Sequence, residues 1–156
     1  MRKFLIFLAA DHAGFELKEH IKKYLQKAGY QVEDQGAYKC DAEDDYPEFV
    51  LKAAKKVASN KNSKAIIFGG SGQGEAIVAN KVNGVRAAVY NCKNLGIIRL
   101  SRQHNDANIL SIGARFITKE HALEAVNLWL DTAFSNEARH KRRIRQMQEM
   151  EKRLCK

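Results

Sequence analysis

Short apolar runs alternate with helical patterns along almost the whole of this 156-residue chain. Strands are expected at residues 3–10, 30–33, 65–68, 85–90 and 109–112. The first run is almost continuously apolar, which is typical of a strand that is buried on both faces of a sheet. Strands that alternate with helices predict parallel pairing, because a parallel connection needs a long crossover. The sequence therefore predicts the α/β class, as a Rossmann-like three-layer α/β/α sandwich with a five-stranded parallel sheet.

Helices are expected between and after these strands, at residues 15–28, 47–60, 73–81 and 118–134. Gly29 suits the end of the first helix, Pro47 the start of the second, and Thr118 the N-cap of the fourth. An extra C-terminal helix is expected over residues 136–154, and it carries few large apolar side chains. So polar a helix gains little by packing on its own domain. We therefore expect a single domain over residues 1–156 whose last helix packs on a partner subunit.

The positive charge is concentrated in that last helix. The net charge of the chain is +9, and residues 139–156 contain eight Lys or Arg and two Glu, which leaves only about +3 for the rest. A basic helix can bind nucleic acid, but a solvated basic face is the commoner case. We therefore expect no nucleic-acid partner.

Membrane and secretory functions are disfavoured. No apolar stretch reaches the length of a membrane-spanning helix, and the apolar run near the N-terminus leads into Asp11-His12 rather than a small-residue cleavage site. Cys40, Cys92 and Cys155 are far apart, which favours reduced thiols over a disulfide framework or a zinc site. A cytoplasmic protein is expected.

A glycine-rich turn, Gly69-Gly70-Ser71-Gly72-Gln73-Gly74, follows the third expected strand. Its glycines allow backbone amides to point at an anion at the start of a helix. It is not a Walker loop, because Glu75 stands where a lysine would follow, and the spacing of its glycines does not match the dinucleotide-binding fingerprint. Such a turn taken alone is often purely structural, so it is a weak signal.

Glu75, directly after the turn, makes the signal stronger. One interpretation is a surface charge that the helix dipole stabilises. The other is a general base beside an amide-lined anion hole. This pairing suits proton abstraction next to a carbonyl, since the base takes the proton and the amides hold the enediolate oxygen.

Other polar groups lie at the ends of further elements. Asp11-His12 follows the first strand, and ligands of open parallel sheets bind beyond the carboxyl ends of the strands, so this turn should face the glycine-rich turn if the first and third strands are neighbours. His104-Asn105-Asp106 precedes the fifth strand, where an ordinary loop is an equally good interpretation. Arg139 and Arg143 lie at i and i+4 on one helix face, which suits a phosphate, although a solvated face is commoner.

A series of motifs lies in order along nearly the whole chain: Asp11-His12-Ala13-Gly14-Phe15-Glu16-Leu17-Lys18, Asp45-Tyr46-Pro47, Gly70-Ser71-Gly72-Gln73-Gly74-Glu75, Ala79-Asn80-Lys81-Val82, Arg86-Ala87-Ala88, Leu100-Ser101-Arg102-Gln103-His104-Asn105-Asp106-Ala107-Asn108, Gly113-Ala114-Arg115, Trp129-Leu130 and Arg139-His140. As a set, these motifs are highly specific. The chain resembles the type B ribose-5-phosphate isomerases and their galactose-6-phosphate isomerase relatives.

One position departs from the commoner pattern of that family. Many members carry a catalytic cysteine immediately before the glycine turn, whereas this chain has Gly69. The sequence resembles instead the branch with Gly-Gly-Ser-Gly-x-Gly-Glu, in which the glutamate replaces the cysteine as base. The residue pattern and the resemblance therefore both predict Glu75 as the base.

The resemblance implies a set of catalytic residues: Glu75, His104, Ser71, Asp11 and Asn105. It implies a second set that binds the sugar and its phosphate: His12, Tyr46, Gly70, Gly72, Gly74, Arg115, Arg139 and Arg143. Within these sets, His104 would help to open the furanose ring, and the arginines with His12 would hold the phosphate. No metal or cofactor is expected.

The resemblance thus implies an enzyme that interconverts ribose 5-phosphate and ribulose 5-phosphate through a cis-enediolate. A homodimer, or a tetramer built from it, with active sites shared between subunits is expected. One alternative is an isomerase of galactose 6-phosphate or allose 6-phosphate. Another is a non-catalytic module that binds sugar phosphate or nucleic acid. Glu75 argues against the latter, because a pure phosphate binder would avoid a carboxylate beside its anion site.

Overall fold

A computed structural model describes residues 4–154, and a five-stranded parallel sheet lies at its centre. The strands are β1 Leu5–Ala10, β2 Gln31–Asp34, β3 Ser63–Gly69, β4 Ala87–Tyr90 and β5 Ile109–Gly113. Their order across the sheet is β2-β1-β3-β5-β4, and every neighbouring pair is parallel. The predicted fold class is confirmed. Residue 3, which opens the first expected strand, lies outside the described residues.

Helices connect and flank the strands. Within residues 4–154 they are α1 Phe15–Lys27, α2 Tyr46–Ser59, α3 Gln73–Ala79, α4 Leu95–Gln103, α5 Lys119–Asp131 and α6 Ala138–Leu154. The sequence pattern did not predict α4. Its apolar residues Ile97, Ile98 and Leu100 lie on one side, but the helix has only nine residues and includes Gly96, which weakens the helical signal along the chain.

Two apolar cores cover the two faces of the sheet. Ile6 and Phe68 belong to the core that includes Trp129 of α5, together with buried residues of α1 and α4. Phe7 and Val50 belong to the other, which packs α2 and α3 against the opposite face. Because successive side chains of a strand point to opposite faces, burial on both sides requires the nearly continuous apolar runs of β1 and β3.

The expected helix ends are formed by local hydrogen bonds. The Thr118 hydroxyl accepts a hydrogen bond from the amide of His121 at 3.3 Å, which confirms the predicted N-cap of α5. Gly29 adopts a φ of 82° after α1, and the amide of Tyr30 donates to the carbonyl of Leu25 at 3.0 Å. A positive φ at this position is what favours glycine after a helix.

The strand order decides where the turns of interest meet. β1 and β3 are neighbours, so the turns after them lie at the same carboxyl edge of the sheet. By contrast, α6 packs loosely, and His140 is its only buried residue among those described. No helix within residues 4–154 combines the length and the apolar character that a bilayer crossing requires.

Candidate active site

A cleft of about 530 Å³ lies at the carboxyl edge of the sheet, between the turns that follow β1 and β3. The residues that line it are Asp11, His12, Ala13, Tyr46, Gly70, Ser71, Gly74, Glu75, Arg115 and Phe116. Eight of these ten belong to the site that the sequence predicts. The facing of the two turns is therefore confirmed, and the cleft has the size of a small-molecule site.

Glu75 is the buried acid of this cleft. It lies in the first turn of α3, and only 3% of its surface is exposed. Within residues 4–154, no hydrogen-bond partner contacts its buried Oε2 atom. Burial raises the pKa of Glu75 above its ordinary value, and the charge of Asp11 acts in the same direction, although its own amide partly opposes them. A buried carboxyl group with a raised pKa is a stronger base than an exposed one, which suits a group that takes and returns a proton.

Gly69 explains how the chain accommodates this acid. A Cβ atom built at Gly69 would overlap the carboxylate of Glu75. The Glu75 side chain therefore occupies the space that a side chain at position 69 would need. A cysteine at this position and a glutamate at position 75 in this conformation are sterically incompatible. The departure from the cysteine pattern and the presence of the glutamate thus have one physical cause.

The glycine-rich turn is held from behind. The Ser111 hydroxyl donates to the carbonyl of Gly72 at 2.6 Å, and the side-chain amide of Asn91 donates to the carbonyl of Ser71 at 3.0 Å. Gly72 has a φ of 78° and is packed against the backbone of Gly113, so it is buried behind the turn rather than lining the cleft. With the carbonyls fixed at the back, and no protein acceptor within residues 4–154 for the amides of Ser71 and Gly72, those amides are available to an anion.

The turn after β1 is ordered by two carboxylates. Asp11 accepts hydrogen bonds from the amides of Ala13 and Gly14 at 3.0 and 3.2 Å. Asp44 contacts both the backbone amide and the Nδ1 atom of His12, each at 2.8 Å. The side-chain hydrogen bond to Asp44 is the main cause that raises the pKa of His12, with smaller contributions from the charges of Asp11 and Asp44. His12 is thereby favoured as a cation that faces the cleft.

The sequence pattern missed Asp44, although the acidic loop before Tyr46 was recognisable. Ligand atoms of Asp11, His12 and Asp44 lie within 4.8 Å of one another, a spacing that would also suit a cation. The His12–Asp44 ion pair accounts for this proximity without one, since a protonated imidazole needs a counter-charge.

The opposite walls of the cleft come from Tyr46 and Arg115. The Tyr46 hydroxyl fills the space that a side chain at Gly74 would occupy, and the Arg115 guanidinium lies over Gly70. The amide of Arg115 also donates to the carbonyl of Gly70 at 3.1 Å, which joins the end of β5 to the glycine-rich turn. Arg115 and His12 therefore supply positive charge at the rim, while Glu75 lies deeper.

Five predicted residues do not line this cleft: Gly72, which is packed directly behind it, and the more distant His104, Asn105, Arg139 and Arg143. His104 follows α4 and precedes β5, which places it at the amino edge of the sheet, whereas Glu75 follows the carboxyl end of β3. A strand of this length spans about 16 Å. Arg139 and Arg143 are exposed on α6, and the Arg139 Nε atom donates to Glu137 at 2.8 Å. Within one chain, the predicted site residues therefore lie in two separate places.

The group at the amino edge is well ordered. The ring of His104 packs on the ring of buried His140, with centroids 4.2 Å apart. Burial and the nearby His104 hold the pKa of His140 below its ordinary value. Arg102 binds the Asp106 carboxylate at 2.8 Å, and Arg86 donates to the carbonyl of Asn105 at 2.9 Å. These contacts fix the turn that carries His104 and Asn105.

Comparison with known proteins identifies the chain's relatives. The family model described as Ribose/Galactose Isomerase matches residues 6–147. Ribose-5-phosphate isomerase B of Mycolicibacterium paratuberculosis is 42% identical over 147 residues, which cover 94% of this chain and 91% of that protein. Ribose-5-phosphate isomerase B of Escherichia coli is 36% identical over 148 residues, covering 95% and 97%.

A solved structure is equally similar. Ribose-5-phosphate isomerase B from Mycoplasma genitalium, crystallised with bound ribulose-5-phosphate, has a TM-score of 0.92 and 37% sequence identity, with 97% of this chain and 99% of that chain covered. Sequence and structure agree over nearly the full length, and the chain therefore belongs to the ribose/galactose isomerase family.

Proposed function

We propose that this chain interconverts ribose 5-phosphate and ribulose 5-phosphate, with Glu75 as the general base. The observation that carries the proposal is the Glu75 carboxylate, which is buried, has a raised pKa and lies beside the free amides of the glycine-rich turn. The relatives named ribose-5-phosphate isomerase B support the choice of substrate. A five-carbon sugar phosphate also fits a cleft of about 530 Å³.

The reaction needs one base and one oxyanion site. Glu75 removes the proton on C2 of the open-chain aldose, the electron pair forms the C1–C2 double bond, and negative charge develops on O1. The amide of Ser71, a residue that lines the cleft, donates to this oxygen. Glu75 then returns the proton to C1 while the O2 proton passes to O1, which leaves the ketose. Because one carboxyl group takes and returns the proton, a pKa near the working pH favours both steps.

The charged rim would hold the phosphate. His12 and Arg115 lie at the mouth of the cleft, and both carry donors that pair with phosphate oxygens. Tyr46 closes the side of the cleft beside Gly74 and would contact the sugar. Asp11 is buried in the wall of the cleft and would lie close to the sugar.

The remaining residues would come from a second copy of the chain. His104, Asn105, Arg139 and Arg143 are displayed at the amino edge and on α6, too far from Glu75 to meet the same small substrate within one chain. Exposed apolar side chains occur on three helices, at Ile77 of α3, at Ile97 and Leu100 of α4, and at Met147 and Met150 of α6. Such surfaces favour association. We therefore propose one isomerase domain per chain, a cytoplasmic homodimer, and α6 packed on the partner.

Assay of an aldose phosphate panel tests the activity. Ribose 5-phosphate should be converted to its ketose fastest, ahead of allose 6-phosphate and galactose 6-phosphate, and the C2 hydrogen should exchange with solvent. His104→Asn should slow turnover of ribose 5-phosphate, whose ring must open. Conversion of none of these substrates would refute the proposal, and a preference for a hexose phosphate would refute the assigned substrate.

Subunit mixing tests the shared site. Glu75→Gln and His104→Asn protein, each nearly inactive, are mixed under conditions that exchange subunits. In a mixed dimer with shared sites, one site receives the intact Glu75 of one chain and the intact His104 of the other. Activity should then recover to about a quarter of the wild-type level at statistical mixing. If both groups acted within one chain, no site would be intact and mixing would restore nothing.

A further inference from the structure

A second cleft lies at the amino edge of the sheet, on the face covered by α1 and α5. It measures about 810 Å³ and is larger than the cleft around Glu75. Aromatic and aliphatic side chains form much of its wall, among them Phe4, Tyr24, Tyr30, Leu130 and Phe134. None of the residues that line it belongs to the Glu75 cleft. The proposed isomerase activity does not account for it.

Lys64 is the unusual residue of this cleft. It is the second residue of β3 and lines the cleft, yet only 7% of its surface is exposed. Its Nζ atom lies 4.6 Å from the centre of the Phe4 ring and 5.5 Å from that of Trp129. Within residues 4–154, no hydrogen bond or ion pair joins this ammonium group to an oxygen, and the residue lines the open cleft. A largely buried cation that lies against aromatic rings, with the guanidinium groups of Arg102 and Arg86 nearby, is costly unless a counter-charge is supplied.

The neighbouring cation, Arg102, differs from Lys64 because it has hydrogen-bond partners. Arg102 is also buried, but it donates to the Asp106 carboxylate and to the carbonyls of Ala107 and Thr132. Asp106 is likewise occupied, because Arg86 binds its other oxygen at 3.1 Å. Asp131 lies at the exposed rim. Lys64 is therefore the one cation lining this cleft, among the described residues, whose hydrogen-bonding capacity is unused.

We propose that this cleft binds a small organic anion whose carboxylate or phosphate pairs with Lys64 and whose aromatic or aliphatic body packs on the surrounding rings. The charge recognises the anionic group, and the apolar walls recognise the body. The nearby Asp131 favours a ligand with one negative charge over one with several. The cleft is separate from the Glu75 cleft, so this proposal stands independently of the proposed reaction.

The lowered pKa of Lys64 agrees with a group that would gain from pairing with an anion. Burial is the main cause that lowers the pKa of Lys64 to about 8; the charges of Arg102 and Arg86 contribute in the same direction, and Asp106 opposes them. An anion bound beside Nζ would stabilise the charged form and raise this pKa. A lysine that merely reached solvent past Trp129 would keep an ordinary value, because its ammonium group would remain hydrated.

The single tryptophan of the chain is a built-in reporter, since Trp129 lies against Lys64. Its fluorescence is followed while the full-length protein is titrated with benzoate, phenyl phosphate, acetate or inorganic phosphate at constant ionic strength. Benzoate or phenyl phosphate should cause a saturable change with a dissociation constant of about 1 mM or below, and whichever binds tighter identifies the preferred anionic group. Acetate and inorganic phosphate should bind at least about tenfold more weakly, because they lack the apolar body.

Two variants and one competitor complete the test. Lys64→Met should weaken binding by at least about tenfold, as loss of a charged partner does. The control Lys55→Met, at an exposed lysine on the other face of the sheet, should not. Saturating ribose 5-phosphate should not displace benzoate. The proposal fails if no anion produces a saturable change, if Lys64→Met binds like the wild type, if acetate equals benzoate, or if ribose 5-phosphate competes.

A measurement on the unaltered sequence covers the case in which Lys64→Met does not fold. Reductive methylation with isotope-labelled formaldehyde gives each lysine a resonance that can be titrated. The Lys64 resonance should titrate near pH 8, and benzoate should raise that pKa by a measurable amount. An unchanged titration in saturating benzoate would refute pairing between Lys64 and the anion.

Discussion

Two buried ionisable groups lie at opposite edges of the sheet, and each is short of a partner among the described residues. Glu75 follows the carboxyl end of β3, and Lys64 lies at its amino end. Burial disfavours the charged form of both groups, so it raises the pKa of Glu75 and lowers the pKa of Lys64. The same physical effect therefore moves both pKa values towards neutral pH, that of the acid upwards and that of the base downwards.

Their surroundings differ, and the difference indicates what each edge can do. Glu75 lies beside free backbone amides, which stabilise an oxyanion that forms when the carboxylate takes a proton. Lys64 lies between aromatic rings, which stabilise a cation weakly and offer no group that develops charge. The first environment supports proton transfer, whereas the second supports only recognition of an anion.

The largest expected effect is the loss of the base. Glu75→Gln keeps the shape of the side chain but cannot accept the proton, so turnover of ribose 5-phosphate should fall by at least about a hundredfold. A phosphohydroxamate that mimics the enediolate should still bind. The matched control is Glu120→Gln, an exposed glutamate in the first turn of α5. Near-normal turnover of Glu75→Gln would show that another group moves the proton.

The second effect tests the steric exclusion between positions 69 and 75. Gly69→Ala places a methyl group where the Glu75 carboxylate lies, so the base should be displaced. A misplacement of about 1 Å can reduce turnover on the order of a hundredfold. The free energy of unfolding should fall by about 1–3 kcal/mol through overpacking. In a Glu75→Ala background the same change should cost much less. Equal costs in both backgrounds, measured by denaturant unfolding, would contradict the overlap.

The third effect concerns Arg139 and Arg143, which lie far from Glu75 within one chain. Arg139→Ala and Arg143→Ala should each weaken binding by about 1.5–3 kcal/mol, or about tenfold to a hundredfold in KM, if the partner's α6 brings these arginines to the phosphate. Arg145→Ala, also exposed on α6 but pointing another way, is the control. Unchanged KM values in steady-state kinetics of both variants would show that the phosphate binds elsewhere.

The smallest expected effect is on stability at the Lys64 edge. The folded pKa of about 8, against 10.5 for an ordinary lysine, corresponds to a cost of up to about 3 kcal/mol at pH 7. Lys64→Met should therefore be more stable than the wild type by about 1–3 kcal/mol below pH 8. Between pH 8 and 10.5 the folded state loses the proton first, so the wild type should gain stability and the difference should vanish.

Denaturant unfolding across this pH range measures the effect, with Lys55→Met as a control that should show no such trend.

The free energy of unfolding should depend on pH in the opposite direction at Glu75. Its raised folded pKa means that the buried charge appears as the pH rises, so Glu75→Gln should gain stability over the wild type above that pKa and not below pH 4.5. Parallel pH profiles for the two variants would contradict the comparison between the two edges.

Much of the candidate site was predictable because its parts are contiguous in sequence. The glycine-rich turn and Glu75 follow one another directly, so their juxtaposition needs only one strand and one helix in order. The turn after β1 was placed by the rule that parallel neighbours share an edge, and the pairing of β1 with β3 confirms it. Asp44 was missed because its contact with His12 spans 32 positions along the chain.

The amino-acid sequence by itself determined the class of the fold and the identity of the buried acid. Apolar periodicity and glycine placement are local properties, and they act before any long-range contact forms. The tertiary structure alone decided that β5 inserts between β3 and β4, which brings the end of β5 with Arg115 beside the glycine-rich turn. It also decided that Lys64 is buried, since a lysine in a strand carries no sequence mark of what packs over it. Both outcomes depend on which distant elements meet, and spacing along the chain does not encode that.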